Sequence, residues 1–194
     1  LGLDASRLPD GLVDHHQIIV DERKLLGEGN SVFVSLADAA DSERAPAGMR
    51  AATLSTHTNV AQWWQLRDGP DETAYLARRE EYAERLIAAA ELAIPSLRES
   101  IHLRLPGTPV TFQYYTGRPL GMVGGFAQGS IFAARGPRTP VENLWLVGDS
   151  IFPGQSTAGV TLGGMRVAAE VARAERRLTG RRPVATLSHA GVDG

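Results

Sequence analysis

The stretch richest in residues that could do chemistry runs from Asn143 to Val171, NLWLVGDSIFPGQSTAGVTLGGMRVAAEV. It holds a carboxylate, Asp149, directly after a turn glycine, Gly148, and then a Pro153-Gly154 loop. Gln155, Ser156 and Thr157 lead into a helix expected from near Ala158. The first N–H groups of a helix lack intrahelical acceptors and lie at the positive end of its dipole. Thr157, Ala158, Gly159 and Val160 therefore present an electropositive end suited to an electron-rich carbonyl or an anionic ring. Asp149 follows the apolar run Leu144–Val147, which reads as a strand buried on both faces. The carboxyl end of such a strand is where α/β sheets bind ligands. A carboxylate there can accept hydrogen bonds from ribose or ribityl hydroxyls; the alternative is an acid satisfied by nearby backbone N–H groups. Gly159 and Gly163 form a GxxxG pair, with Gly164, Ala168 and Ala169 close by. Each glycine costs about 1 kcal/mol inside a helix, so several together predict close packing on a neighbour or a ligand. Arg166 and Glu170 argue against a membrane helix pair.

The elements that must position this stretch come earlier. Residues Leu1 to Val13 read as loop, with a turn at Pro9-Asp10-Gly11. His15–Asp21 and Ser31–Ala37 read as strands around a turn at Glu28-Gly29-Asn30. Ser31–Ala37 and Arg50–His57 read as an antiparallel hairpin joined by the polar loop Asp38–Gly48. His15 and His16 cannot easily share a metal ion, because adjacent strand residues point to opposite faces. Trp63 and Trp64 fall in a short turn-like stretch. Asp71 is placed to cap a helix over Glu72–Ala93, with Tyr75, Tyr82, Leu86, Ala89 and Ala93 on one face and Pro95 as its stop. Ser100–Leu105 reads as a strand. Thr111–Thr116 reads as a further strand or the start of a helix. The glycine-rich run Gly117–Gly136 tolerates unusual backbone angles and close approach to a flat ligand, or is an irregular loop. The aromatic residues Trp63, Trp64, Phe112, Tyr114 and Tyr115 suit the core better than the lining of an apolar tunnel. The expected class is α+β: a mixed or antiparallel sheet covered by a long helix, followed by a strand–loop–helix. The expected division is 1–116, 117–179 and a flexible tail over 180–194.

Composition narrows the possibilities further. With 20 Lys and Arg against 22 Asp and Glu, the net charge of −2 gives no electrostatic case for nucleic acid. The absence of cysteine removes disulfides, thiol catalysis and cysteine metal sites, and fits a reducing compartment such as the cytoplasm. No apolar run is long enough to span a bilayer, which leaves peripheral membrane contact. A serine hydrolase would use Ser150 in Gly148-Asp149-Ser150 or Ser156 in GQSTA. A nucleophile elbow needs a second glycine after the serine, where Ala158 stands. The histidine after either serine is His189, in the expected tail. A non-enzymatic module that binds apolar ligands is a second alternative.

GDSIFPGQSTAGV resembles the C-terminal flavin-binding motif of the phytoene desaturase and carotenoid isomerase group, within the amine-oxidase-like FAD oxidoreductases. The order Gly148-Asp149-Ser150, then Phe152-Pro153-Gly154-Gln155, is nearest the carotenoid isomerase branch. Ala133-Ala134-Arg135 and Thr139–Asn143 sit where the group has its pre-motif loop. The resemblance implies FAD as cofactor, with Gly148, Asp149, Pro153, Gly154, Gln155, Thr157, Ala158, Gly159 and Val160 around it. Asp149 would contact the ribityl–phosphate part. Backbone N–H groups at Ala158, Gly159 and Val160 would face the pyrimidine edge of the flavin. It also implies an apolar isoprenoid or carotenoid-like substrate and residues 1–116 as a substrate-covering domain. The group opens with a strand–GxGxxG–helix unit for the ADP half. Gly27-Glu28-Gly29 lacks the third glycine, and Gly121, Gly124 and Gly125 have the wrong spacing. The chain is therefore expected to be the C-terminal part of a longer enzyme, or to pair with a separate FAD-binding chain. Apolar surface left uncovered would favour a homodimer.

Overall fold

The structure, a computed structural model, describes residues 1–122, 130, 132, 134–154 and 156–179. Gln155, residues 123–129, 131 and 133 of the glycine-rich run and the expected tail over 180–194 lie outside the described residues. The chain divides into two compact units, Leu1–Met122 and Val123–Gly194.

The first unit is α+β. Its sheet has five strands: β1 (Gly2–Asp4), β2 (His15–Ile19), β3 (Ser31–Leu36), β4 (Met49–Ser55) and β5 (Ile101–Leu103). The spatial order is β2-β3-β4-β1-β5, and every pairing is antiparallel. In β3 the side-chain period of two puts Val32, Val34 and Leu36 inside and leaves Phe33 outside. Phe33 stacks on His15 across the strand pair, ring centroids 5.7 Å apart. The inner face joins Leu3, Ile18, Val32, Val34, Leu36 and Ala52 to the helical residues Ala89, Ala90, Ile94 and Leu97. Burial of these aliphatic groups is the main stabilising term, on the order of 1.5–3 kcal/mol for each large side chain.

Helix α1 spans Val60–Asp68, α2 Glu72–Glu91, α3 Leu97–Ser100 and α4 Pro109–Thr116. Asp71 caps α2 as expected, accepting from the Thr73 and Ala74 N–H groups. The Thr73 hydroxyl and N–H, which bond to the ionised form, hold the Asp71 carboxyl below its usual range. Tyr82 and Ala89 are buried on α2, but Ala93 is exposed; Ile87 and Ala90 complete the buried face instead.

Three local readings are corrected, and one left open, the strand or helix over Thr111–Thr116, is decided. Residues 2–4 form a strand, and 5–7 a short 3-10 turn, where loop was expected; β1 is held by pairing with β4 and β5. Trp63 and Trp64 lie in helix α1, capped by the Asn59 side chain accepting from the Ala61 N–H. The strand expected over Ser100–Leu105 is only three residues long, with Ser100 ending α3. The 109–116 stretch is helix: Thr108 and Thr111 form a capping box and Pro109 opens it. The aromatic residues divide. Trp63 is 3% exposed and meets Tyr75 and Tyr82 edge-on, whereas Phe112, Tyr114 and Tyr115 are 52%, 81% and 79% exposed.

One polar cluster fixes the helices to the hairpin. Glu28 sits at φ 51° between two glycines with positive φ, Gly27 and Gly29. Its carboxylate accepts from the Asn59 N–H at 2.6 Å, the Thr58 hydroxyl at 3.2 Å and the Tyr82 hydroxyl. Arg78 and Arg85 each place a guanidinium 4.8 Å from the Tyr82 ring centroid. Along the outside of α2, Glu84 takes Arg98 and Arg104, and Glu80 takes Arg104 and Arg79.

Candidate functional site

The second unit carries the sequence motif. Its long helix α5 spans Thr157–Thr179, beginning one residue before the expected start. The apolar run before the motif is not a buried strand. Among the described residues its ladder is a single bridge, Arg138 to Trp145, with Leu146 N–H donating to Pro137 O at 2.8 Å. Leu144 and Val147 are 51% and 63% exposed. A strand covered on both faces needs neighbouring strands and helices, and the described residues of this unit offer one helix and no further strand.

The Arg138 guanidinium donates to Glu170 of α5 at 2.8 Å, which ties the 137–146 turn to the helix. That bond, then the Trp145 side chain and the Arg173 charge, holds the Glu170 carboxyl below its usual range. A cleft of about 310 Å³ opens between this turn and residues 170–177 of α5. It does not touch the motif loop.

The motif folds as a tight cradle. Gly148 has φ 110°, a conformation that favours glycine, and the space where a side chain would stand is open. Asp149 and Ser150 follow, half-buried, and Ile151 anchors the loop at 1% exposure. Phe152 N–H donates to Arg135 O at 2.8 Å, and the Phe152–Pro153 peptide is cis. Gly154, buried with φ 66°, turns the chain back over the helix start. There Gly159 meets it: a Cβ at Gly159 would lie 2.1 Å from the Gly154 carbonyl oxygen. The close packing expected of the helix glycines is thus made at Gly159. Cβ atoms at Gly163 and Gly164 would meet nothing within 4 Å.

Ser156 is the residue that sequence reasoning undervalued. Its hydroxyl oxygen accepts from the Gly159 N–H at 2.9 Å, and its carbonyl accepts from the Val160 N–H at 2.8 Å. It is the cap of α5, a role signalled by a serine directly ahead of a helical run. Thr157 and Ala158 open the first turn of α5, where backbone N–H groups have no intrahelical acceptor. The structure therefore gathers Gly148, Asp149, Pro153, Gly154, Thr157, Ala158, Gly159 and Val160 into one loop and helix start. Gln155 lies outside the described residues, as does His189. Among the described residues no group of three or more His, Asp or Glu could hold a metal ion.

Comparison with known proteins gives the same direction. No protein-family model matches the chain. The prolycopene isomerase of Arabidopsis thaliana, a chloroplastic protein, is 32% identical over 177 residues, which cover 89% of this chain and 29% of that protein. The prolycopene isomerase of Daucus carota is 31% identical over 177 residues, covering 89% of this chain and 28% of its own length. The all-trans-retinol 13,14-reductase of Danio rerio is 27% identical over 150 residues, covering 69% of this chain and 24% of that protein. The chain spans less than a third of the curated relatives it matches. Nearly all of its length takes part in the likeness, so what the chain is similar to is a part of the carotenoid isomerase-like oxidoreductases.

Proposed function

We propose that this chain is the C-terminal part of an FAD-dependent oxidoreductase that acts on carbon–carbon bonds of an apolar isoprenoid or polyene, by desaturation, saturation or isomerisation. The observation that carries the reading is the cradle of Gly148, Asp149, Gly154 and the start of α5. The names of the relatives support the substrate class, since prolycopene and retinol are both polyenes.

The residues present fit a flavin. Gly148 leaves open space beside the backbone, where a flat group can approach. The clasp of Gly154 on Gly159 fixes where the helix start sits. The Asp149 side chain would accept hydrogen bonds from ribityl hydroxyls and so hold the cofactor chain along the loop. Thr157 and Ala158 offer N–H donors to a ring carbonyl, because Ser156 already engages the N–H groups of Gly159 and Val160. The dipole of α5 adds a positive field at the same place, which favours negative charge developing on a bound ring. FAD, when bound, supplies the hydride acceptor or donor. The hydride transfer itself needs no side-chain acid or base, and the proton exchanged at the neighbouring carbon would pass to or from the flavin; the protein's part is to orient the apolar substrate and keep water out.

The adenosine half of the cofactor would be held by residues beyond this chain, or by a partner chain. The exposed Leu144, Val147 and Phe152 in the described part of the motif unit support this, as apolar groups that ask for cover. The test is anaerobic mixing of the flavin-loaded enzyme carrying this segment with a polyene substrate. Bleaching or return of the flavin band in step with product formation is expected. Product formation with no flavin present, or covalent labelling of Ser150 or Ser156 by a fluorophosphonate, would overturn the reading.

A further inference from the structure

We propose that Trp63, Tyr82 and Glu28 form a one-electron relay, in which an oxidising equivalent passes from Trp63 to Tyr82 while the Tyr82 phenolic proton passes to Glu28. In a chain without cysteine, indole and phenol are the side chains most readily oxidised by one electron. Of the three Trp and four Tyr residues, two of each lie on α1 and α2, so the candidate radical sites are gathered there. Trp63 and Tyr82 are both buried, and their ring centroids lie 5.0 Å apart in an edge-on contact. A dry surrounding protects a radical from side reactions. Trp64, the next residue, is half-buried and gives the relay an entry from solvent.

Hydrogen bonds join the same groups. The Trp63 indole N–H donates to Thr58 Oγ1 at 3.0 Å, and that hydroxyl donates to the Tyr82 oxygen at 3.3 Å. Arg78 donates to the same oxygen at 3.3 Å, and the Tyr82 hydroxyl donates to Glu28 Oε2. Arg78 and Arg85 each hold a guanidinium 4.8 Å from the Tyr82 ring centroid. Two cations over a ring oppose positive charge on it, so Tyr82 can lose an electron only with its proton. Glu28 is an exposed carboxylate placed to take that proton. Its backbone is held at φ 51°, a conformation that strains a residue other than glycine, and such strain is kept where a side chain must be aimed. Tyr75 supplies the contrast. Its ring centroid also lies near Trp63, at 6.1 Å, but its hydroxyl meets the neutral Thr108 hydroxyl at 2.7 Å. With no base at its hydroxyl, Tyr75 is not the end of the relay.

The step balances as follows. The oxidant is of the peroxyl radical class; it takes one electron from Trp63 and becomes a peroxide anion. Trp63 recovers that electron from Tyr82. Tyr82 is left as a neutral tyrosyl radical, and its proton is bound to Glu28, now a neutral carboxylic acid. The relay thus draws a damaging equivalent out of the packed aromatic interior to a hydroxyl that borders an exposed side chain. The proposal stands apart from the flavin reading: it needs no cofactor and is tested without one.

The test is pulse radiolysis of the 194-residue chain with the azide radical, a one-electron oxidant of indole. The background carries Tyr114→Phe and Tyr115→Phe, both exposed positions, which leaves Tyr75 and Tyr82 as the tyrosines. The indolyl radical absorbance should decay as the tyrosyl absorbance grows, at a rate independent of protein concentration. Tyr82→Phe should abolish that growth, and Tyr75→Phe should leave it intact. Glu28→Gln keeps an oxygen to accept from the Asn59 N–H but loses the base. It should slow the growth about a hundredfold, the usual size of a positioned proton acceptor's effect, with the urea midpoint close to the parent's. No tyrosyl growth at the expense of indolyl, growth that survives Tyr82→Phe, loss of growth in Tyr75→Phe, or a Glu28→Gln variant as fast as the parent would each overturn the proposal.

Discussion

Three glycines of α5 make opposite predictions from one helix. In an unobstructed helix interior, replacing glycine by alanine stabilises by about 1 kcal/mol, through helix propensity and a less free unfolded chain. At Gly163 and Gly164 the added methyl meets nothing within 4 Å, so Gly163→Ala and Gly164→Ala should each gain on that order. At Gly159 the same methyl would lie 2.1 Å from the Gly154 carbonyl oxygen and 3.1 Å from its carbon and the Ser156 hydroxyl oxygen. A carbon and an oxygen rest no closer than about 3.2 Å, so the loop or the helix start must move by about 1 Å; overpacking of this kind costs about 1–3 kcal/mol. The obstacle is backbone, with no flexible side chain to swing away. The net effect of Gly159→Ala is therefore neutral to about 2 kcal/mol destabilising, against a gain at the other two positions. Urea unfolding of the three variants, followed by helical circular dichroism, measures the difference directly. In a flavin-bearing enzyme Gly159→Ala should also lower flavin retention. If Gly159→Ala stabilises as much as Gly163→Ala, the clasp of Gly154 on the helix is not present and the cradle argument fails.

Ser156→Ala should cost about 1 kcal/mol, as the loss of a helix cap, while Ser156→Asp should keep most of that stability. Equal destabilisation by both variants in urea would deny Ser156 the capping role. Acid should also destabilise. The carboxyls of Asp4, Asp21, Asp71, Glu84 and Glu170 are held below their usual values of 3.8 and 4.5, chiefly by hydrogen bonds from Ser6, Arg23, Thr73, Arg98 and Arg138 respectively. Groups depressed in the folded state contribute stability above those usual values, and that contribution is lost as pH falls through the lowered ones. Thermal stability should be level above about pH 5 and fall steadily below about pH 4, more gently in high salt because these groups are exposed. A midpoint that rises on acidification would contradict the assigned ion pairs.

The parts that were legible in the sequence are those decided by neighbours in the chain. Val32, Val34 and Leu36 alternate with Phe33 and Ser35, so β3 and its inner face could be read directly. Asp71 before Glu72 marked the start of α2, and the loop from Gly148 to Thr157 marked the start of α5. What was missed depends on distant partners. Gly2–Asp4 has no strand signal of its own; it is a strand because β4 and β5 lie on either side. Leu144–Val147 fails in the other direction: its apolar run reads as a buried strand, and burial requires elements that the described residues do not supply. The helices α1 and α4 were readable in principle, from Asn59 as a cap and from Thr108-Pro109 as a cap and first residue. The close approach of Gly154 to Gly159 was foreshadowed only by the excess of glycine. Its partner could not be named, because a sequence does not say which carbonyl will lie against which Cα.

The central claim is that the loop and helix start after Gly148 hold a flavin. The most direct measurement is the flavin content of the purified enzyme carrying this segment, read from its visible absorbance, for the parent and for Asp149→Ala. Loss of a charged hydrogen-bond acceptor costs about 1.5–3 kcal/mol, so retention of the cofactor on dilution should weaken by about tenfold to a hundredfold. The account predicts that loss, with helical content unchanged. Flavin bound as tightly by Asp149→Ala as by the parent, or a parent enzyme with no flavin at all, would contradict it.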